Sequence, residues 1–422
     1  RHREKKVLPH LSRSSKRLLK RTGVVLTLTG LVFTNVLAQD PGPGERHPPN
    51  PPADKAPFFM HRAGSLRSEA CCAADFNNDG RIDIFAGENL YLAPDWKPFR
   101  VRALKGSVDE NGKGYYWDFA NLPFDVDGDG RLDVVSVDWF DKRSVWLRNT
   151  GAAGGEWPLT VIEENGNFEL AELADLEGRG RAAAIVPTVL QTVWYEVTAG
   201  ADGQRAFTKH VVSTKEMNWG VGVGDVNGDG RPDLLRPDAW FEAPADPRKG
   251  AWIEHPLALG HKQAGKADHT AQILVYDVNG DHLNDILCSS AHAYGIFWYE
   301  QIREGGAIRF RQHVIDDTWS QAHSLALGDL DGDGVPELVS GKRFMAHNGG
   351  DPGEYEPLGV YYYQLQRGPQ PVWTRQAVTY GEGIGAGMNI PLADLDGDGD
   401  FDIVVTGKWG GPVWFENRLA RK

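Results

Sequence analysis

The sequence predicts an all-β fold, a seven-bladed β-propeller of four-stranded blades. Three observations carry this. A nine-residue acidic motif recurs seven times, short apolar runs flank each copy, and an aromatic run follows at a regular distance. The copies begin at Asp75, Asp125, Asp175, Asp225, Asp277, Asp329 and Asp394, so successive starts lie 50, 50, 50, 52, 52 and 65 residues apart. A chain of 422 residues exceeds what one core of about 100–200 residues needs, and repetition accounts for the excess.

Composition narrows the functional classes. Hydrophobic residues at 41% and charged residues at 24% exclude a disordered or collagen-like chain. Three cysteines, two of them adjacent, give neither a disulfide framework nor a zinc spacing. The acidic balance, −13, argues against a nucleic-acid partner, which needs a basic face.

The first segment departs from that balance. Arg1–Arg21 holds nine Lys/Arg and one acid, and the apolar run Val24–Ala38 that follows is too short and too polar for a membrane span of about 20 residues. A basic region, a short apolar region and the small-residue end Val36-Leu37-Ala38 read as a signal peptide over 1–38, against the alternative of an uncleaved anchor. Cleavage would move the net charge to −21 and leave no stable membrane span, with the protein secreted or periplasmic. Residues 39–56 are proline-rich and read as a linker; residues 57–422 form the propeller.

Within each repeat a run of apolar and small residues such as Val221-Gly-Val-Gly224 precedes the motif, and one such as Leu132-Asp-Val-Val135 follows it. These are two strands joined by an acidic loop. A third strand is aromatic, as in Val193-Trp-Tyr-Glu196 and Val413-Trp-Phe-Glu416. The fourth pairs an aromatic with a polar residue three places on: Phe207 and His210, Trp252 and His255, Phe310 and His313. The seventh repeat stops after its third strand, whereas Phe58-Phe-Met-His61 has the missing pattern, so residues 57–63 are expected to close the ring and leave no sheet edge.

The acidic loops are expected to bind structural Ca²⁺, in up to six copies. Oxygen ligands at positions 1, 3, 5 and 9 with Gly at 6 match the alternation of an EF-hand loop placed on a β-hairpin. The ligand sets are Asp75, Asn77, Asp79 and Asp83; Asp125, Asp127, Asp129 and Asp133; Asp225, Asn227, Asp229 and Asp233; and Asp394, Asp396, Asp398 and Asp402. Two further sets depart slightly: Asp277, Asn279, Asp281 and Asp285 with His282 in place of Gly, and Asp329, Asp331, Asp333 and Glu337 with a longer ninth acid. The copy at Asp175 carries Glu177, Arg179 and Ala183, and no metal is expected there. An acid at position 9 is the argument against plain Asp/Asn/Gly turns, which do not call for one. This motif, flanked by strands over residues 57–417, resembles the FG-GAP/VCBS class, which also includes the integrin α-chain propeller. The resemblance implies the fold and calcium; such propellers serve as adhesion modules, binding platforms and enzymes alike.

Chemistry is expected at the channel mouth, on the face opposite the acidic loops. Residues six and eight places before each first Asp belong there, among them Glu69, Trp117, Phe119, Glu169, Trp219, His269 and His323, joined by Trp139, His292, Lys342, Arg343, Lys408 and Trp409 from the ends of second strands and the loops after them. Indoles to stack on a sugar and polar groups for its hydroxyls suit a carbohydrate or glycan ligand, with Trp117, Trp219, His292, Asn389, Lys408 and Trp409 as binding residues. His61, His210, His255 and His313 obey the repeat and read as structural, whereas His269, His292, His323 and His347 depart from it. The extra length before the last repeat is a Gly/Pro-rich insertion over 344–358 carrying His347, Asp351 and Glu354, a candidate lid or supplier of catalytic groups.

Trp319-Ser-Gln-Ala-His-Ser324, Gly341-Lys-Arg-Phe-Met-Ala-His-Asn-Gly349, Glu354-Tyr-Glu-Pro-Leu-Gly359 and Asp268-His-Thr270 also resemble the propeller part of aldos-2-ulose dehydratases. That likeness implies metal-assisted elimination of water from a keto-sugar, a carbon–oxygen lyase reaction; the cupin domain of the fungal enzymes has no counterpart in this sequence. The expected roles are carbonyl polarisation by Lys342, Arg343 or a mouth-bound Mg²⁺ or other divalent ion, proton abstraction by His323 or His269, and help to the leaving hydroxyl from His347 or Glu354. The competing expectation is a non-catalytic glycan- or protein-binding module of adhesion type.

Overall fold

The computed structural model describes residues 57–151, 155–199 and 205–419; the expected signal peptide and linker lie outside the described residues. Seven four-stranded antiparallel sheets are arranged as blades, each running from an inner strand at the channel to an outer strand at the rim. In blade one these are Cys71–Ala74, Asp83–Ala86, Asn89–Leu92 and Lys97–Arg100. Blade six shows the same order in Ala322–Gly328, Glu337–Lys342, Gly359–Gln366 and Val372–Tyr380. Closure is as expected: Phe58–Leu66 pairs antiparallel with Gly411–Asn417, placing Phe58 opposite Asn417 and His61 opposite Trp414, as the outer strand of blade seven. Two additions interrupt the repeat. One is a hairpin, Gly106–Val108 with Gly114–Tyr116, between blades one and two; the other is the 344–358 insertion, with a single 3-10 turn at Ala346–Asn348.

The second strands are buried along their whole length, as Asp133–Asp138 illustrates, because a neighbouring blade covers each face. The core therefore lies between blades, where Ile403, Val405, Val413 and Phe415 of blade seven pack on Val339, Val360 and Tyr362 of blade six. Side chains also fill the channel. Phe119, Leu170, Met217, Val221 and Met388, from blades two, three, four and seven, share one cluster. Gln272 spans the axis, donating from Nε2 to Met388 O at 3.0 Å and accepting the Leu325 N–H at 3.0 Å. The rim histidines are structural: His61, His210, His255 and His313 each stack on a third-strand Trp and approach a Glu two residues beyond it.

The acidic loops are folded by their own carboxylates. Asp75 accepts the N–H groups of Asp79 and Gly80 at 3.1 and 2.9 Å, and Gly80 takes φ +86° at the sharp turn. His282, at the same place in blade five, is held at φ +67°, a conformation costly for a residue with a Cβ. The ninth acid has a role that the spacing does not reveal. Asp83 is fully buried and accepts the N–H groups of Phe76 at 3.1 Å and Ala93 at 2.9 Å, tying the loop to the end of the third strand. Asp133, Asp233, Asp285 and Asp402 do the same. An acid at position 9 is thus explained by the hairpin as well as by a cation. A second device is an amide staple: Asn417 donates from Nδ2 to Leu330 O of blade six at 2.7 Å, and Asn149 and Gln301 reach the preceding blade in the same way.

Burial raises these ninth acids, to about 6 for Asp83, Asp133 and Asp285 and about 7 for Asp233, Glu337 and Asp402. Unfolded carboxyls titrate near about 4, so between the two values the metal-free fold holds protons that the unfolded chain has lost, and its stability falls as pH rises through that window. Chelator-treated protein is expected to melt at lower temperature near about pH 8 than near about pH 5 by scanning calorimetry; a rise over that interval would contradict the assignment.

Candidate functional site at the channel mouth

Side chains at the mouth come from two kinds of position. Phe119, Glu169, Trp219, His269 and His323 stand at or just before inner strands, whereas Trp139, Phe140, His292 and Arg343 follow second strands. The insertion over 344–358 crosses the mouth as a strap. Lys408 Nζ donates to Met345 O at 2.7 Å, the His347 N–H donates to Tyr115 Oη at 2.8 Å, and the Gly114 N–H donates to Asn348 Oδ1 at 2.8 Å. Met345, His347 and Asn348 take φ of +54°, +46° and +57°. Left-handed non-glycine residues cost of order 1–3 kcal/mol each, so the strap depends on these anchors.

Strap and blades enclose a cavity of about 570 Å³. One wall is aromatic, built from Tyr115, Phe119, Trp139, Phe140 and Trp219, with the Trp139 and Trp219 rings 5.1 Å apart. The other is polar, from Glu169, His269, His292, Arg343 and His347. Behind it His323 is fully buried, its Nε2 paired with Glu169 Oε1 at 3.2 Å and its Nδ1 without a hydrogen-bond partner. Burial, reinforced by the Arg343 charge, pulls His323 down to about 4 against the pull of Glu169. Burial alone would raise Glu169, but His323, His292 and Arg343 outweigh it and hold the carboxyl at about 2. At neutral pH the pair is therefore a carboxylate beside a neutral imidazole. One ligand atom each from Glu169, His292 and His323 lie within 4.8 Å of one another, and so do those of His292, His347 and Asp351.

The four repeat-breaking histidines therefore meet: His292 stacks on His347 at 4.4 Å and lies 5.0 Å from His323 and 6.0 Å from His269, ring centre to ring centre. His269 Nδ1 accepts the Trp219 N–H at 3.1 Å, so in the neutral ring Nε2 carries the proton and acts as a donor. Arg343 lines the cavity but is held by Glu69 through two bonds of 2.7 and 3.1 Å; burial lowers its pKa, and Glu69 more than reverses this.

Other expected residues are engaged elsewhere. Lys342 Nζ is buried against Ser320, donating to Oγ at 2.7 Å, with its pKa lowered to about 8 by burial. Glu354, itself part of the strap, is buried near Lys342, and burial raises it. Lys408 lies 3.3 Å from the centre of the Tyr115 ring and anchors the strap. Asn389 bonds both backbone groups of Cys71, joining blade seven to blade one. Trp117 lines a separate space of about 90 Å³ beside Lys105, and Trp409 packs on the blade-seven core with Arg62 above its ring. Conversely, Tyr115 and Phe140 join the site without having been expected there, and Asp351, expected only as part of the insertion, reaches it with a role the sequence did not assign. The available signals were the aromatic Tyr115-Tyr116-Trp117 run in the first inter-blade addition and the fact that Asp351 lies in the insertion. Glu169 stood in the expected mouth register, but in the blade whose acidic loop has decayed, where Arg179 and Arg248 pair with Glu177.

The Glu69–Arg343 pair makes this wall testable. Glu69→Ala leaves a buried, unpaired guanidinium, which costs about 3–5 kcal/mol. Urea unfolding is expected to register a loss of that size, and an unchanged midpoint would remove the pair from the support of the mouth.

A family model described as FG-GAP-like repeat matches residues 277–340, from the acidic loop of blade five into the second strand of blade six. No curated protein matches the chain. Among solved structures the chain is similar to the V. cholerae biofilm matrix protein Bap1, at 12% identity over 84% of this chain and 88% of that one, TM-score 0.36. It is similar to Saccharomyces cerevisiae Sqt1 at 13% identity, over 85% and 98% of the two chains, TM-score 0.46. It is also similar to AofleA from Arthrobotrys oligospora at 9% identity, over 86% and 87%, TM-score 0.40.

Proposed function

We propose that this seven-bladed propeller, with its FG-GAP-like repeat at residues 277–340, is an exported carbon–oxygen lyase that eliminates water from a keto-sugar at the channel mouth with the help of a divalent ion. The observation that carries the reading is His323: a fully buried imidazole whose Nδ1 has no hydrogen-bond partner and whose Nε2 faces the Glu169 carboxylate at 3.2 Å. Leaving a buried polar group unmade costs about 1–3 kcal/mol, which a ligand bond would offset. Glu169, His292 and His323 would hold the ion, and two imidazoles with one carboxylate suit Zn²⁺ better than the oxygen-seeking Mg²⁺. When bound, it would supply Lewis acidity to a carbonyl oxygen.

The protein's own groups do the rest. The sugar ring lies against Trp139 and Trp219, and the Nε2–H of His269 donates to a hydroxyl. Committing His323 to the ion takes it out of the base role, which falls to His347. With its Nδ1–H on Asp351, the neutral ring offers Nε2 as a base. His347 takes the proton α to the carbonyl, the C–H pair becomes the new C=C bond, and the imidazolium returns the proton to the β-hydroxyl, which leaves as water. The hydrogen bond to Asp351 raises the His347 pKa, with burial opposing, and so favours the protonated form needed in the second half. The six acidic loops are proposed to hold structural Ca²⁺; those with Asp at position 3 each gather three carboxylates within 4.8 Å.

Incubation with a panel of oxidised sugars and Zn²⁺ is expected to give enone absorbance. His347→Gln should lower kcat by about 10²–10⁴-fold with the metal retained, whereas His323→Ala should lose the mouth metal by elemental analysis. Sugar binding by calorimetry with no turnover anywhere in the panel would replace the lyase reading with a glycan-binding module.

A further inference from the structure

We propose that Asp351, delivered by the strap, is a positioning residue that fixes the tautomers of His292 and His347 together. The role it serves rests on reading the mouth as the reacting site. Asp351 Oδ2 lies 3.2 Å from His292 Nδ1, and Oδ1 lies 2.9 Å from His347 Nδ1. The carboxylate is mostly buried, at 11% exposure, whereas His347 is largely open at 60%.

A carboxylate can only accept, so both Nδ1 atoms must carry hydrogen, and in the neutral rings both Nε2 atoms are lone-pair nitrogens. One side chain thereby gives His292 a free Nε2 for an ion shared with Glu169 and His323, and gives His347 a free Nε2 to take a proton. The orientation of a ligating or basic imidazole is normally set by a partner on its other nitrogen. Here both rings share that partner. The stacked arrangement, 4.4 Å between ring centres with planes 26° apart, lets one carboxylate serve both.

The partner also comes from a different element than the ring it orients on the blade. His292 follows the second strand of blade five, whereas Asp351 belongs to the strap. The strap is held by Lys408 of blade seven, by Tyr115 and Gly114 of the added hairpin, and by Tyr294 of blade five, whose Oη donates to Glu356 Oε1 at 2.7 Å. Asp351 therefore makes the tautomer of a blade histidine depend on the strap being seated.

Asn is the discriminating substitution. An amide oxygen accepts but its NH₂ donates, so Asp351→Asn can satisfy only one ring as Nδ1–H and forces the other to present a lone pair at Nδ1. In ¹⁵N-histidine correlation spectra of the metal-free, full-length protein, wild type should show both rings as Nδ1–H. Asp351→Asn should flip one ring to Nε2–H, and Asp351→Ala should release both. Zn²⁺ affinity by chelator competition should fall by about 10–100-fold in each variant. If the Ala variant does not fold, the Asn variant carries the test alone. Unchanged tautomers in Asp351→Asn with wild-type Zn²⁺ affinity would overturn the proposal. Neither readout needs turnover, so flipped tautomers with an inactive wild type would end the lyase reading while this role stands, and turnover with unchanged tautomers would do the reverse.

Discussion

Ring closure is the constraint from which the rest follows. Glu169 and His323 lie on blades three and six, 154 positions apart in the chain, yet their side chains approach to 3.2 Å. No local preference brings them together; only a ring of fixed blade number does. The ring is fixed by one antiparallel pair, Phe58–Leu66 on Gly411–Asn417, which joins the two ends of the described chain and gives blade seven the outer strand that the other six blades have. Asn417 lies in that pair, and its amide also holds blade seven to blade six, so the closing strand and the inter-blade staple share a residue.

The same carboxylates serve the loops in two ways. Each first acid folds the turn by accepting loop N–H groups, and the ninth Asp of five loops is drawn inside to accept one N–H from the loop and one from the third strand or just past it. Buried acids of this kind favour protonation on their own and ionisation beside a cation. The acidity that stands out in the composition is thus partly interior and partly carried on the exposed loops. Blade three has a third solution, in which Arg179 and Arg248 supply the positive charge to Glu177.

The fold was legible in the sequence because each blade repeats the same solution: spacing gives the blade count, the aromatic third strands give the core, and Phe58-Phe-Met-His61 gives the closure. The mouth was legible only in part. His269, His292, His323 and His347 could be singled out because they break the repeat, and they do converge. Lys342, Lys408 and Asn389 could not be separated from them, since sequence register places a residue near the mouth without saying whether its polar atoms are already taken by Ser320, Met345 or Cys71. Tyr115, and the role of Asp351, were hidden for the opposite reason. Both residues sit on additions outside the repeat, whose path is set by contacts between elements and not by periodicity.

The packed channel has a consequence for traffic. Phe119, Leu170, Met217, Val221 and Met388 fill the axis, and Gln272 ties three blades across it. The ring is therefore a cup and not a tube. Whatever occupies the mouth enters and departs by one opening, under one strap, so a spent ligand and a fresh one compete for the same door.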